Sequence, residues 1–168
     1  MTRAAIALGS NMEEPLVQVR LAFDELAALP STVMVKRSSL YRTVPVGFAD
    51  QPPFINAIAL VDTKLTPRAL LDHLLEIERS HGRVRDIPNG PRTLDLDIVL
   101  YGSSRHSEPG LAIPHPRMHE RAFVLAPLLE VWPDAEIPGM GEASRIYPSM
   151  DRTGVEKLGT SFPRRREA

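Results

Sequence analysis

The chain has 168 residues, with 43% hydrophobic and 24% charged side chains, enough for one globular domain with its own core. Lysine plus arginine total 20 against 21 acidic residues, so no overall field favours nucleic acid, and no apolar run is long enough to span a bilayer. There is no cysteine, which excludes disulfides and thiolate metal sites and suits a cytoplasmic protein.

Ala4 to Leu8 reads as a short buried strand closed by a turn at Gly9-Ser10-Asn11. The run after Arg3 is too short for the apolar core of a signal peptide. Pro15 suits the first turn of a helix whose apolar stripe is Leu16, Val19, Phe23 and Leu26, stopped by Pro30. Thr32 to Tyr41 is β-rich, with Val33 and Val35 on one face. Thr43 to Pro53 holds four residues typical of loops, Pro45, Gly47, Pro52 and Pro53, and Phe54 to Thr63 returns to strand. Thr66-Pro67 is a helix start, Leu70, Leu71, Leu74 and Ile77 its apolar stripe, and Gly82 its end. A charged loop, Arg83 to Pro91, leads into the clearest strand, Thr93 to Tyr101. Then come a turn region from Gly102 to Gly110, a short strand Leu111 to Ile113, and a short helix Met118 to Leu125 interrupted at Pro127. Beyond Gly139 the pattern is weak, and residues 141–168, with Arg164, Arg165 and Arg166 near the end, read as a solvated, frayed tail of a single domain. The order strand, helix, strand, strand, helix, strand is a split βαβ plan with a largely antiparallel sheet, an α+β fold.

The chemistry concentrates in Thr93-Leu94-Asp95-Leu96-Asp97-Ile98-Val99-Leu100. On a strand, Leu94, Leu96, Ile98 and Leu100 face the core, while Thr93, Asp95 and Asp97 share the other face, the two carboxylates roughly 7 Å apart. At that separation two unit charges repel by about 2.4 kcal/mol at an effective dielectric near 20, but by only about 0.6 kcal/mol in water. In a cleft the pair therefore wants a counter-cation, and hard carboxylate oxygens suit magnesium shared with phosphates. Taken alone, the pattern favours the plainer reading, an amphipathic strand with a wet acidic face. The surrounding cations, Arg83, Arg85, Arg92, Arg117 and Arg121, with His115 among them, shift the balance toward a polyphosphate site. Glu78 falls on the apolar stripe of its helix and needs a partner, for which Arg83 and Arg85 are the nearest candidates, unless it snorkels from the edge. Phe54 and Phe123 adjoin loops and suit a flat heterocycle, or simply the core. Asn56, two residues after Phe54, offers a paired donor and acceptor on the same side.

These pieces resemble the 6-hydroxymethyl-7,8-dihydropterin pyrophosphokinase family of folate biosynthesis. The resemblance rests on Ala7-Leu8-Gly9-Ser10-Asn11, Ser39-Leu40-Tyr41-Arg42-Thr43, Asp50-Gln51-Pro52, Phe54-Ile55-Asn56-Ala57, Gly82-Arg83-Val84-Arg85, Gly90-Pro91-Arg92-Thr93-Leu94-Asp95-Leu96-Asp97 and Pro114-His115, in family order over about residues 4–135. It implies a ferredoxin-like, three-layer α/β/α fold and pyrophosphoryl transfer from ATP to the pterin alcohol, giving AMP. It implies that Asp95 and Asp97 hold two magnesium ions and, with Arg83 and Arg92, form the catalytic set. Asn56 would hydrogen-bond the pterin between Phe54 and Phe123, and the backbone of Thr43, Val44 and Val46 would read its edge. Arg83, Arg85, Arg92, Ile98, His115 and Arg121 would contact ATP, with Glu78 by the ribose or supporting that wall. No obligate protein partner is implied. Three departures bear on the nucleotide: Leu75 where many members carry glutamine, Asn89 where some carry tryptophan in a loop one residue longer, and Asp86 where some carry a base. Two other readings are a non-catalytic ATP or pterin binder and a nucleotidyltransferase; in the latter the paired aspartates follow closely on the Gly-Ser turn, whereas here Gly9-Ser10 and Asp95 are far apart.

Overall fold

The architecture is that of a computed structural model, which describes residues 1–44, 52–82 and 93–158. In chain order the elements are β1 (Thr2–Ser10), α1 (Pro15–Ala27), β2 (Thr32–Arg37), β3 (Tyr41–Thr43), β4 (Phe54–Thr63), α2 (Pro67–Ser80) and β5 (Asp95–Tyr101). They continue with β6 (His106–Glu108), β7 (Leu111–Ile113), a 3-10 turn Met118–Glu120, α3 (Ala122–Val131), β8 (Glu136–Ile137), β9 (Gly141–Glu142), α4 (Ala143–Ile146), a 3-10 turn Tyr147–Ser149 and β10 (Val155–Lys157). The main sheet runs β10-β3-β4-β1-β5, with β2 also on β4, and its ladders are antiparallel.

The two faces are covered differently because side chains alternate along β1 and β4. Ala4, Ile6, Leu8, Ala57, Ala59 and Val61 point to one core, where Val19, Phe23 and Leu26 of α1 and Leu70, Leu74 and Ile77 of α2 lie. Ala5, Ile58 and Leu60 point to the other core, closed by Val124, Leu125, Leu128 and Val131 of α3. The result is the α/β/α sandwich that the family resemblance implies. Thr66 caps α2 by accepting from the Ala69 N–H at 3.1 Å, and Pro67 takes the first helical position. Gly82 follows α2 at φ 76°, a left-handed conformation that costs glycine least.

Several boundaries differ from the sequence reading. β1 continues through Gly9 and Ser10 rather than turning there, since both pair with β4. Leu16 stands 43% exposed, and Ala22 replaces it on the buried face of α1. The β-rich stretch from Thr32 breaks into β2 and β3, which lie end to end along β4. At the break the Ser38 N–H donates to the Ile58 carbonyl and the Ile58 N–H donates to the Ser38 hydroxyl, both within 2.9 Å, so the ladder is bridged by a side chain. Val33, opposite Asp62, lies on the same side of the sheet as Ile58 and Leu60, the side on which Val35 packs. The two valines thus share a face as expected, but Val33 is exposed. Val35 is itself an extra residue between Met34 and Lys36, which are opposite consecutive positions on β4. The region from Gly102 to Gly110 contains β6, paired with β7.

Pro127 lies inside α3 and does not interrupt it. Six residues of this ten-residue helix are buried, which offsets the roughly 3 kcal/mol that an interior proline costs. Within residues 141–158 the chain is not frayed, since β10 adds a strand beside β3, while Arg164, Arg165 and Arg166 lie outside the described residues. Glu130 of α3 ties this corner together, accepting from the Ser39 N–H and hydroxyl and from the Tyr41 hydroxyl, each at 2.8 Å. Burial, and then the Glu130 carboxylate, push the Tyr41 hydroxyl well above its ordinary pKa. No helix among the described residues is long and apolar enough to cross a membrane.

Candidate active site

The site grows from the end of the sheet where β5, β1 and β4 lie side by side. Residues directly opposite in an antiparallel ladder share a face. Gly9 is opposite Asp95 on one side and Asn56 on the other, and Asn56 is opposite Tyr41. Ala7 is opposite Asp97 and Ile58. Two small residues in the middle strand thus leave a floor between the acids of β5 and the amide of β4. Thr43, opposite Phe54, extends that floor, and Phe123 and Val124 of α3 close it from the side. His115, Arg117, Glu120 and Arg121 form the remaining rim of a cavity of about 410 Å³. That volume is in the range of small-molecule sites.

A bulge in β5 sorts its side chains. Ala5 is opposite Leu100 but Ile6 is opposite Ile98, so Val99 is the extra residue. Leu94, Leu96 and Ile98 stay in the core under α1 and α2, while Val99 and Leu100 both enter the α3 core. This corrects the placement of Leu100 with the other three. Asp95 and Asp97 precede the bulge and share the cavity face, as the alternation requires. The bulge also has a partner: the His115 N–H donates to the Val99 carbonyl at 3.1 Å, which pins the segment carrying His115 to the sheet.

A second cavity, about 270 Å³, lies between β5, Leu71 of α2 and the β6–β7 hairpin. Ile98, Glu108, Gly110, Leu111, Ala112 and Pro116 line it. Asp97 and His115 line both cavities, so they form the wall between them. Glu78 lines neither. It is buried, and its carboxylate accepts the Leu96 N–H at 2.8 Å, between the two aspartates. β5 ends the main sheet, and an outward N–H on such a strand needs an acceptor. Glu78 supplies it from α2. The guanidinium partners expected for Glu78, Arg83 and Arg85, lie outside the described residues.

Burial, then the charge of Arg121, hold the His115 imidazole below its ordinary pKa of 6.5 against an upward pull from Asp95, and Arg117 adds a smaller downward push. Its Nδ1 accepts the Arg117 N–H at 3.2 Å. The neutral ring therefore carries its proton on Nε2 and is a hydrogen-bond donor there. The Arg121 guanidinium lies 5.6 Å from the centre of the Phe123 ring. Two polar atoms in the larger cavity, Asn56 Oδ1 and Thr43 Oγ1, are buried without a hydrogen-bond partner. Unsatisfied buried oxygens of this kind cost about 1–3 kcal/mol each and mark where a ligand's donors belong.

A model of the 7,8-dihydro-6-hydroxymethylpterin-pyrophosphokinase (HPPK) family matches residues 5–133. The chain belongs to this family. Among similar proteins is the 2-amino-4-hydroxy-6-hydroxymethyldihydropteridine pyrophosphokinase of Pseudomonas aeruginosa, 46% identical over 93% of this chain and 96% of that protein. The Bacillus subtilis protein of the same name is 43% identical over 79% of this chain and 80% of that one. The fold is also that of the HPPK-DHPS of Plasmodium falciparum, wild type with STZ-DHP, at a TM-score of 0.69 and 14% identity over 88% of this chain. This chain spans 43% of that longer one. The HPPK neighbours carry the ferredoxin-like α+β arrangement, as expected from the sequence.

Within the HPPK frame, the structure gathers Thr43, Val44, Phe54, Asn56, Asp95, Asp97, His115, Arg121 and Phe123 around one cavity and sets Ile98 in the adjoining one. Val46, Arg83, Arg85 and Arg92 lie outside the described residues, as do Asp86 and Asn89. Sequence reasoning missed Ala7 and Gly9 as the floor and Glu120 as a rim residue, whereas Arg117, counted among the cations, does stand on the rim. The signal for Gly9 is a glycine one step beyond an apolar strand, a pattern that by itself reads as a turn.

Gly9 tests the geometry. A Cβ built there would sit 3.0 Å from Asn56 Nδ2. Its backbone is ordinary strand, so alanine costs the fold little and restricts the unfolded chain. Gly9→Ala should leave thermal stability unchanged or slightly raised, while the displaced amide raises the KM for the pterin by about tenfold. Steady-state kinetics together with a melting curve would check this; an unaltered pterin KM would remove Asn56 from the binding surface.

Proposed function

We propose that the dihydropterin occupies the larger cavity and ATP the smaller one, with Asp95 and Asp97 holding magnesium where the two meet. The reaction is that of the family, pyrophosphoryl transfer from ATP to the hydroxymethyl group of 6-hydroxymethyl-7,8-dihydropterin, giving AMP and the pterin pyrophosphate. The observation that carries the reading is the common wall: Asp97 and His115 border both cavities, so groups bound in each would meet beside a carboxylate.

The residues suit the metal. The paired oxygens are hard donors on one face of a strand, and repulsion between them in a cleft favours a cation. Bound there, magnesium supplies charge neutralisation and in-line alignment of the attacking and leaving oxygens.

This chain's own groups do the remaining work. Asn56 and Thr43 offer their free oxygens to the heterocycle's N–H donors, and Phe54 and Phe123 cover its faces. That fixes the hydroxymethyl group toward β5. Its oxygen attacks the β-phosphorus, the bond from that phosphorus to the α-bridging oxygen breaks, and AMP departs. Asp97, which lines both cavities, would orient the hydroxyl or take its proton. His115 donates from Nε2, and Arg121 adds positive charge where negative charge develops. Arg83 and Arg92 are assigned to the same task, and Arg85 to ATP, on the strength of their motif. Glu78 acts through the strand: by holding the Leu96 N–H it keeps both carboxylates at their height above the sheet.

The test is AMP formation from ATP and the pterin alcohol with magnesium present, then with the metal chelated. Turnover that requires both substrates and falls to background on chelation is the expected result. Undiminished turnover under chelation would end the metal assignment.

A further inference from the structure

The C-terminal strand lies beyond residues 5–133, which the family model matches, yet it touches the proposed substrate site. β10 pairs with β3 through Val155 opposite Thr43, Glu156 opposite Arg42 and Lys157 opposite Tyr41. At one end of this ladder the Leu158 N–H donates to the Leu40 carbonyl at 2.8 Å. At the other end the Val44 N–H donates to the Gly154 carbonyl at 3.1 Å. Thr43 and Val44 are cavity-lining residues, and the Thr43 hydroxyl is one of the two unpartnered oxygens.

β3 has only three residues, too few to hold a defined geometry from one edge alone. It is held by β4 on one side and by β10 on the other. Gly154 makes the second contact possible for two independent reasons. Its φ of 78° lies in the left-handed region, where a side chain is strained. A Cβ there would also lie 3.3 Å from Val44 Cβ and 3.4 Å from its Cγ2. The absence of a side chain thus lets the two backbones approach closely enough for the carbonyl to take the Val44 N–H.

We infer that Gly154 is a positioning residue for the pterin, through which β10 sets the Thr43–Val44 wall of the cavity. The inference rests on the placement of the pterin in that cavity. Ordering this wall in advance removes a cost that binding would otherwise bear. ATP, in the cavity across Asp97, has no contact with this corner and is indifferent to it.

The experiment uses the full-length chain in three variants, each measured for pterin KM, MgATP KM and melting temperature. Gly154→Ala is expected to raise the pterin KM about tenfold, shift the MgATP KM by less than about twofold, and lower the melting temperature. Gly154→Asn tolerates positive φ but still carries a Cβ, so it should recover most of the melting temperature and keep the raised pterin KM. A pterin KM restored along with stability in Gly154→Asn, or equal increases for both substrates, would overturn the inference. Asn56→Ala separates the two levels. If it raises the pterin KM while the Gly154 variants do not, only the role of β10 fails; if it too leaves the pterin KM unchanged, the cavity assignment fails and takes the inference with it.

Discussion

Asp97→Ala is expected to lose about a thousandfold in turnover while the fold is retained. Asp95 and Asp97 are on one face of β5 at the larger cavity, and Asp97 is the carboxylate that borders both cavities. Its removal is expected to cost the two substrates the ion that should join them. Asp97→Asn sharpens the reading. It keeps the shape and a hydrogen-bonding oxygen but not the charge, so a metal ligand should suffer nearly as much from Asn as from Ala. Turnover at saturating substrates over a range of magnesium concentrations, beside a melting curve, measures both parts. An Asn variant within tenfold of the parent would mean that Asp97 works by hydrogen bonding alone.

The second large effect belongs to Asn56. Its Oδ1 is buried and lacks a partner, a liability that a ligand with a matching N–H removes. Asn56→Ala leaves the ligand's own donor buried and unpaired, and about 2.7 kcal/mol, a hundredfold in pterin affinity, is the expected loss. MgATP binding should be unchanged, because Asn56 does not line the second cavity. Asn56→Asp is the sharper control. It preserves size but replaces two N–H donors by acceptors, so it should fail with a heterocycle edge that both gives and takes hydrogen bonds. Calorimetric titration of each variant with the pterin, and separately with a non-hydrolysable ATP analogue and magnesium, would decide. A pterin affinity for Asn56→Ala within threefold of the parent would rule out the amide as the reader of the pterin edge.

The site was legible where chemistry and periodicity coincide. The Asp-x-Asp pair was readable because strand alternation is set locally, by the pleat, and it places Asp95 and Asp97 together in any sheet. Asn56 and Phe54 share a side for the same reason. Glu78 was identifiable as a misfit, an acid on an apolar helix stripe, but its described acceptor role was not. It receives the Leu96 N–H, a backbone donor exposed because β5 ends the sheet, and strand order is a property of the whole fold. Leu100 was misplaced because a bulge at Val99 depends on pairing with β1, and nothing in the pattern of apolar residues announces it.

The amino-acid sequence alone determined the alternation of strand and helix from β1 to β5 apart from the break between β2 and β3, the capped start of α2 at Thr66-Pro67 and the shared face of the two acids, since each depends on neighbours within a few residues. Tertiary structure decided what those pieces became. It carried α3 through Pro127 because burial outweighed the lost hydrogen bond, and it brought β10 beside β3 from more than a hundred residues away. It turned Gly9 from an apparent turn residue into the floor of a cavity. Each of these depends on contacts between segments distant in the chain, whose free energy is gained only when the partner is in place.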